Sequence, residues 1–320
     1  MATTELSDEL GAAVLLRSEL IADGFTDRQI ASRVSAGELH RVRHGAYVDG
    51  SFWAGLSAED RHRLMVRAVL RRAHPGSVAT HVSAAIERRA PVWGIPLDQV
   101  HLTRLDGKTG RREAGVAHHR GALGPGDVEI VNGIPVSAAP RCAVEMTTMA
   151  GVEAGLVSVN GLLASGQLTE AELSDEVERL KFWPDTLTTT VVQRLADPRI
   201  QSVAESRTLF LCWAQRLPRP EPQVVLDEWG HVFAYADFLW RREGVFLEFD
   251  GRIKYEKFRR EGETLEQYLL REKRREELIC QLTGWVCIRI TWEDLANPRR
   301  TAQRIRRILE SRRRWVGAGG

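Results

Sequence analysis

The feature that most constrains the fold is a pair of apolar segments separated by the four residues Arg241-Arg242-Glu243-Gly244. Both segments alternate with a period of two, which is typical of β-strands, and a short polar loop between strands favours a hairpin. Symmetric pairing across the loop sets Trp240 opposite Val245, and further along the same ladder it sets Asp237 opposite Glu248. The sequence therefore predicts a β-hairpin that brings two carboxylates side by side.

A third carboxylate shares this face, because Asp250 lies two residues beyond Glu248 and points to the same side of the strand. Directly opposed side chains have β-carbons about 4.5–5.5 Å apart, and like charges at that distance repel each other. Either water screens the repulsion at an open surface, or a hard cation neutralises it, since carboxylate oxygens are preferred ligands of magnesium. Flanking aromatic residues favour the cation. We therefore predict a site for Mg²⁺ or Mn²⁺ held by Asp237, Glu248 and Asp250.

Two further residues are candidates for the chemistry of this site, and each also has a structural explanation. Ser202 and Glu205 have the spacing of a helix capping box, which accounts for the glutamate without catalysis. Next to the carboxylate hairpin, Glu205 is also a candidate outer ligand or orienting group. Lys254 follows the second acidic strand, where a lysine can orient an attacking water or stabilise phosphorane charge. Lysines in loops are, however, more often ordinary surface residues.

The first fifty residues have the pattern of a helix-turn-helix followed by a hairpin wing. Residues 13–22 have helical apolar spacing, and Thr26 is a candidate N-cap of a second helix that Gly37 ends. Residues 39–48 favour a short hairpin. Such a helix can enter a major groove while the wing contacts the DNA backbone, although a packing or dimerisation module has the same pattern. The side chains that we expect to contact DNA are Arg28, Gln29, Arg33, Arg41 and Arg43.

Length and composition predict several folded domains in a reducing compartment. A chain of 320 residues is too long for one ordinary core, and its net charge of +2 does not by itself demand a nucleic-acid partner. No apolar run approaches the 20 or so residues of a membrane span, so we expect no membrane partner. The cysteines lie in apolar runs without the spacing of a zinc or redox motif, which indicates buried thiols and a cytoplasmic location. They are Cys142, Cys212, Cys280 and Cys287.

Up to about Leu173 the chain resembles the AbiEi-type antitoxins and transcriptional regulators of bacterial toxin–antitoxin systems. The resemblance rests on Arg28-Gln29-Ile30, on Leu39-His40-Arg41-Val42-Arg43-His44-Gly45-Ala46-Tyr47, on Ser83-Ala84-Ala85 and on Gly133-Ile134-Pro135-Val136-Ser137. It implies a winged-helix DNA-binding domain at residues 1–57, followed by an α/β scaffold domain at residues 58–185. The partners that it implies are DNA and a cognate toxin protein.

From about Gln201 to Leu309 the chain resembles the PD-(D/E)xK nuclease superfamily, and looks closest to uncharacterised proteins related to very-short-patch repair endonucleases. The resemblance implies a restriction-endonuclease-like α/β domain with a mixed sheet at residues 186–320. Its carriers are Glu205, Ala236-Asp237-Phe238-Leu239-Trp240, Glu248-Phe249-Asp250-Gly251-Arg252-Ile253-Lys254-Tyr255, Glu272-Lys273-Arg274-Arg275-Glu276 and Gly284-Trp285-Val286-Cys287-Ile288-Arg289-Ile290-Thr291-Trp292.

By position in this resemblance, Asp237 and Glu248 are the metal-binding acids and Glu205 is the helix acid. The chain departs from the family pattern at Asp250, which stands where a lysine is expected, and Lys254 is the residue that would substitute for it. We therefore expect an α+β multidomain protein that binds DNA and carries a magnesium-dependent endonuclease. The alternative is a non-catalytic regulator whose nuclease fold only binds DNA or a toxin.

Overall fold

A computed structural model of the chain describes residues 10–109, 114–228, 231–250 and 262–318. The chain divides into an N-terminal unit, Met1–Arg194, and a C-terminal unit, Leu195–Gly320. Both units combine helices with β-sheet, so the predicted α+β class is confirmed. The finer division of the first unit at residue 57 stays a prediction.

The N-terminal unit begins with short helices packed against a three-stranded antiparallel sheet of order β1-β3-β2. Thr26 caps the second helix: its hydroxyl accepts the Gln29 amide at 3.3 Å, and the Gln29 side chain accepts the Thr26 amide at 2.8 Å. Leu20, Ile30 and Leu39 form the small core beneath. The elements are β1 (Leu15–Leu16), α1 (Arg17–Ala22), α2 (Asp27–Ser35), β2 (Leu39–Arg43) and β3 (Ala46–Asp49).

A five-stranded mixed sheet of order β6-β5-β4-β8-β7 forms the rest of this unit, together with a series of helices. Its elements are α3 (Gly50–Gly55), α4 (Ala58–Leu70), β4 (Ser77–Ala79), α5 (His81–Glu87), β5 (Val100–Arg104), β6 (Val116–His119), β7 (Val128–Val131), β8 (Ile134–Ser137), α6 (Ala139–Met149), α7 (Gly151–Ala164), α8 (Glu170–Arg179) and α9 (Leu187–Leu195), the last of which ends at the first residue of the C-terminal unit.

The C-terminal unit has a four-stranded sheet of order β12-β11-β10-β9. Strands β9, β10 and β11 are antiparallel, whereas β11 and β12 are parallel, so this sheet is mixed, as the resemblance to the nuclease superfamily implies. Its elements are α10 (Val203–Ala214), β9 (Glu221–Glu228), β10 (His231–Trp240), β11 (Val245–Phe249), α11 (Leu265–Thr283), β12 (Val286–Ile290), α12 (Trp292–Ala296) and α13 (Pro298–Ala318).

Strand β11 is buried along its whole length, because it lies between two other strands of the sheet. Phe246 and Leu239 pack against Ile279 of α11, which covers this face of the sheet. Gly284 ends α11 in the left-handed conformation with φ of +67°, where glycine is favoured. The central position of β11 also buries Glu248, the acid that the strand carries, to 7% exposure.

Candidate functional site

The carboxylate hairpin has the register that its loop length predicts. Trp240 lies opposite Val245, and Phe238 lies opposite Leu247. Continuing this register sets Asp237 opposite Glu248, on the same face of the sheet. In addition, the Phe249 amide donates a hydrogen bond to Asp237 Oδ2 at 2.8 Å. The two predicted metal-binding acids are therefore neighbours on adjacent strands.

The acids belong to a line of polar residues that crosses the whole sheet. On one side Gln223 lies between positions paired with Ala236 and Phe238, so it stands opposite Asp237. On the other side Glu248 lies opposite Arg289 of β12. We call Gln223, Asp237, Glu248 and Arg289 the polar row. The row lies beside buried apolar residues such as Leu239 and Phe246, which marks it as the candidate site.

Glu205 reaches this row from the first turn of α10. Gln223 Nε2 donates a hydrogen bond to Glu205 Oε2 at 2.9 Å, and the backbone φ of Gln223 is +51°, an uncommon value for a residue other than glycine. Burial raises the pKa of Glu205 above its ordinary value, and the charge of Asp237 raises it further, against the hydrogen bond from the Gln201 amide. Glu205 is therefore electrostatically coupled to Asp237.

The capping box that the sequence predicts is formed in part: Ser202 caps α10, while the Glu205 carboxylate bonds to the Gln201 amide and the Ser202 hydroxyl in place of the Ser202 amide. Ser202 Oγ accepts the Glu205 amide at 3.1 Å and donates to Glu205 Oε1 at 2.7 Å. The other carboxylate oxygen accepts the Gln201 amide at 3.0 Å. Glu205 is thus bonded at the N-terminus of α10 and also lies beside Asp237, one of the two predicted metal-binding acids.

Two arginines lie against Glu248, and the sequence analysis assigned them no role in the site although both stand in segments that carry the nuclease resemblance. Arg275 Nη2 donates to Glu248 Oε1 at 2.7 Å, and Arg289 Nη2 lies 3.7 Å from Glu248 Oε2. Arg275 is held in turn by the carbonyl of Tyr235, to which its Nη1 donates at 2.7 Å. The negative charge on this face is therefore balanced partly by guanidinium groups, an arrangement that the two sequence-based alternatives, water or a metal, did not include.

The apolar spacing of α11 contains a signal that indicates which side of the sheet-facing helix Arg275 occupies. Arg275 lies four residues before the buried Ile279, and residues at that spacing share one face of a helix. Arg289 lies two residues after Cys287 and shares its side of β12. Arg289 also pairs with Glu276 at 2.6 Å, and its Nη1 lies 4.0 Å from Asp250 Oδ2.

Asp237 and Glu248 supply hard oxygen donors of the kind that magnesium prefers, so the donor chemistry of the polar row fits this ion. Asp250 lies at the edge of the row, one residue beyond the end of β11. Among the residues that the structure describes, no three histidine, cysteine, aspartate or glutamate side chains are grouped so as to hold a metal ion. Lys254 lies outside the described residues.

The predicted DNA-contacting residues occupy two elements of the N-terminal unit. Arg28, Gln29 and Arg33 lie on α2, where the Gln29 side chain is engaged in the capping box and Arg33 lies 3.5 Å from Glu38. Arg41 and Arg43 lie on β2 and line an open cavity of about 820 Å³. Arg28, Gln29 and Arg33 are all exposed.

The chain matches no model of a known protein family and no curated protein sequence. Within the described ranges, none of the helices combines the length and the hydropathy that crossing a bilayer requires. DNA and a toxin protein as partners, and a cytoplasmic location, stay predictions.

Proposed function

We propose that this chain is a DNA-binding protein whose C-terminal unit hydrolyses phosphodiester bonds with the help of Mg²⁺. The observation that supports this most is the polar row, in which Asp237 and Glu248 are adjacent on two central strands with Glu205 beside them. Placing three carboxylates together on a largely buried sheet raises the free energy of the folded state. Such clusters of perturbed titratable groups are typical of functional sites. The element order from α10 to β12 and the mixed sheet support the resemblance to PD-(D/E)xK nucleases.

The acids of the row and the candidate residues around it have separate proposed roles. Asp237 and Glu248, helped by Asp250, would hold the metal, which supplies Lewis-acid activation of water and of the scissile phosphate. Glu205 would orient Asp237 through Gln223 and through charge. Lys254 would stabilise charge that develops on the phosphate.

Arg275 and Arg289 would add to this proposed site in two ways. Their hydrogen bonds and ion pairs fix the carboxylate of Glu248 in one orientation. They also place positive charge next to the acids, which favours a phosphate group that would otherwise be repelled. Neither residue can replace the acids as a metal ligand, because guanidinium groups have no lone pair to offer.

The N-terminal unit would supply the contact with duplex DNA. The helix pair α1–α2 and the sheet β1-β3-β2 have the elements of a winged helix, and Arg28 lies on the exposed side of α2. Arg33, Arg41 and Arg43 would contact phosphates, which position a protein on DNA without selecting its sequence. Gln29 would contribute less to base contacts than its position suggests, because its side-chain oxygen already accepts two bonds from Thr26.

Plasmid nicking tests the catalytic part of the proposal. Supercoiled plasmid is incubated with Mg²⁺ and with the wild type, Asp237→Asn or Glu248→Gln, and Glu221→Gln is the control because Glu221 is an exposed acid of the same sheet outside the row. We expect the wild type and the control to nick equally, and each row variant to lose roughly 100-fold or more of the rate. Cleavage that persists in Glu248→Gln would remove the site assignment.

One observation favours a second candidate, a non-catalytic regulator in which this unit only binds DNA or a toxin. The pairing of Glu248 with Arg275 and Arg289 balances its charge without any metal, and Asp250 stands where the resemblance expects lysine. Absence of nicking by the wild type and the variants alike, with binding to duplex DNA retained, would select the regulator.

A further inference from the structure

An open groove of about 600 Å³ lies within the C-terminal unit, between the end of α10 and the helix α13. Four arginines and a single glutamate are among its lining residues, together with apolar side chains. We call it the arginine groove and define it by Trp213, Arg216, Leu217, Arg219, Arg306 and Leu309. An apolar floor with an excess of positive charge is complementary to an anion that carries an apolar or aromatic body.

Three of the four arginines have an ordinary structural explanation. Arg306 Nη2 donates to the Gln215 carbonyl at 2.6 Å, and Arg219 Nη2 donates to the Leu195 carbonyl at 3.1 Å, so both satisfy carbonyls at helix ends. Arg313 pairs with Glu243 at 2.6 Å. Arg216 differs from them: it is exposed, and no hydrogen bond or ion pair of its guanidinium is found among the described residues.

The backbone at Arg216 is in the left-handed conformation, with φ of +54°. This is the position just beyond α10 where the Leu217 amide returns to the Cys212 carbonyl at 2.8 Å, and glycine is the residue usually found there. Any other residue pays a conformational cost that glycine avoids. An arginine kept at a strained position on the rim of a groove, without a partner among the described residues, suggests a role in binding.

Trp213 supplies the aromatic surface of the groove. It lies in the last turn of α10 and remains 44% exposed, so its indole ring is accessible to a ligand in the groove. Nucleic-acid bases stack on exposed aromatic rings with little dependence on sequence, and arginine pairs with phosphate through two parallel hydrogen bonds. Trp213 and Arg216 are three residues apart, so one nucleotide could meet both.

We propose that the arginine groove binds an unpaired nucleotide of a DNA strand, with the base against Trp213 and its phosphate on Arg216. This inference rests on the proposed function, because it names the form of DNA that the nuclease-like unit takes. A base in a duplex cannot enter the groove without leaving its stack. The groove lies near the loop end of β10, where Trp240 Nε1 donates to the Pro218 carbonyl, so it is distinct from the polar row.

The test is the binding of one fluorescein-labelled single-stranded 12-mer and of the matching duplex, measured by anisotropy with the full chain in EDTA. Arg216→Gly removes the guanidinium and relaxes the backbone, and Trp213→Ala removes the stacking surface. Arg307→Ala is the control, because Arg307 is an exposed arginine of α13 outside the groove lining. We expect each groove variant to bind the single strand about tenfold more weakly, and the control to change less than about twofold.

Thermal unfolding separates loss of binding from loss of fold, since Arg216→Gly should unfold at the same temperature as the wild type or higher. Unchanged single-strand affinity in Arg216→Gly, or an equal loss for single strand and duplex, would overturn the inference. If nicking depends on Glu248 while Arg216→Gly binds normally, the groove assignment fails and the nuclease proposal stands. If the wild type never nicks but its single-strand binding depends on Arg216 and Trp213, the nuclease proposal fails and the groove assignment stands.

Discussion

Glu248 is an acid on a strand that is covered on both faces, and its side chain is only 9% exposed. Water therefore screens its charge poorly, and the free energy of the ionised Glu248 side chain depends on the groups that contact it. Arg275 and Arg289 provide that balance in the absence of a bound cation. Breaking such a pair from one side leaves a charge without compensation, which costs more than the pair itself contributes.

This asymmetry gives a prediction for Arg275. We expect Arg275→Met to lower the free energy of unfolding of the C-terminal unit by about 2 kcal/mol, because Glu248 then loses a guanidinium that is closer to it than that of Arg289. In the double variant with Glu248→Gln most of that loss should be recovered, since the carboxylate charge that Arg275 balances is then removed as well. Urea denaturation of the two single variants and the double variant measures the coupling.

The neighbouring Arg274→Met is the matched control, because Arg274 is exposed on the same helix. It should change the free energy of unfolding by less than about 0.5 kcal/mol. Additive effects of Arg275→Met and Glu248→Gln would show that the ion pair contributes nothing measurable to the fold.

At the scale of elements, the sequence predicts those parts of the site that depend on interactions between residues near each other in the chain. The loop of four residues fixes the register of β10 against β11, so the adjacency of Asp237 and Glu248 follows from alternation alone. The capping of α10 by Ser202 is equally local. In both cases the interacting residues are close in sequence.

The arginines of the site could not be predicted in this way, because their placement depends on contacts between distant segments. The pattern of α11 indicates which face of the helix is buried, but not which strands that face covers. The parallel pairing that sets Arg289 opposite Glu248 spans a long crossover connection. The left-handed backbone at Gln223 also has no local signal, since glycine is the residue expected at such a position.

The packing of α7 in the N-terminal unit gives a prediction at this scale. A β-carbon on Gly161 would lie 2.0 Å from Cδ of Pro91, and a proline ring cannot rotate away. We expect Gly161→Ala to lower the free energy of unfolding by about 1–3 kcal/mol through overpacking. Gly55→Ala, at the end of α3 with nothing within 4 Å, is the control and should be nearly neutral. Equal stability of both variants in a thermal melt would contradict this close approach.

At the scale of the whole molecule, the two units have separate cores and different buried titratable groups. The cores are formed by residues such as Val48 and Leu64 in the N-terminal unit, and by residues such as Leu239 and Phe246 in the C-terminal unit. Histidines are buried in the first unit: His101 Nδ1 and His119 Nε2 lie 2.8 Å apart. In the second unit Glu205 is a buried carboxyl group whose pKa is raised.

Burial shifts the pKa of the histidines downwards. It lowers the pKa of His81 to about 3 and those of His101 and His119 to about 4, with their mutual repulsion adding to the effect. The folded N-terminal unit therefore binds fewer protons than its unfolded chain between pH 6.5 and about 4. The contribution of these three histidines to the stability of the unit is fully present above pH 6.5 and is lost progressively as the pH falls through this range.

Glu205 changes the stability of its unit with pH in the opposite direction, because its pKa in the folded state is raised above the unfolded value of 4.5. The folded C-terminal unit binds the extra proton, so this group favours the fold more as the pH falls towards 4.5. Lowering the pH from 7 to 5 should therefore reduce the melting temperature of the N-terminal unit and leave that of the C-terminal unit equal or higher. Scanning calorimetry at both pH values measures the two melting temperatures. His119→Gln should weaken the change in the N-terminal unit, and Glu205→Gln should remove the contribution of Glu205 in the C-terminal unit. A parallel decline of both units would mean that buried histidines and Glu205 do not control their pH dependence, because these two sets of groups bind their protons in opposite states of the chain.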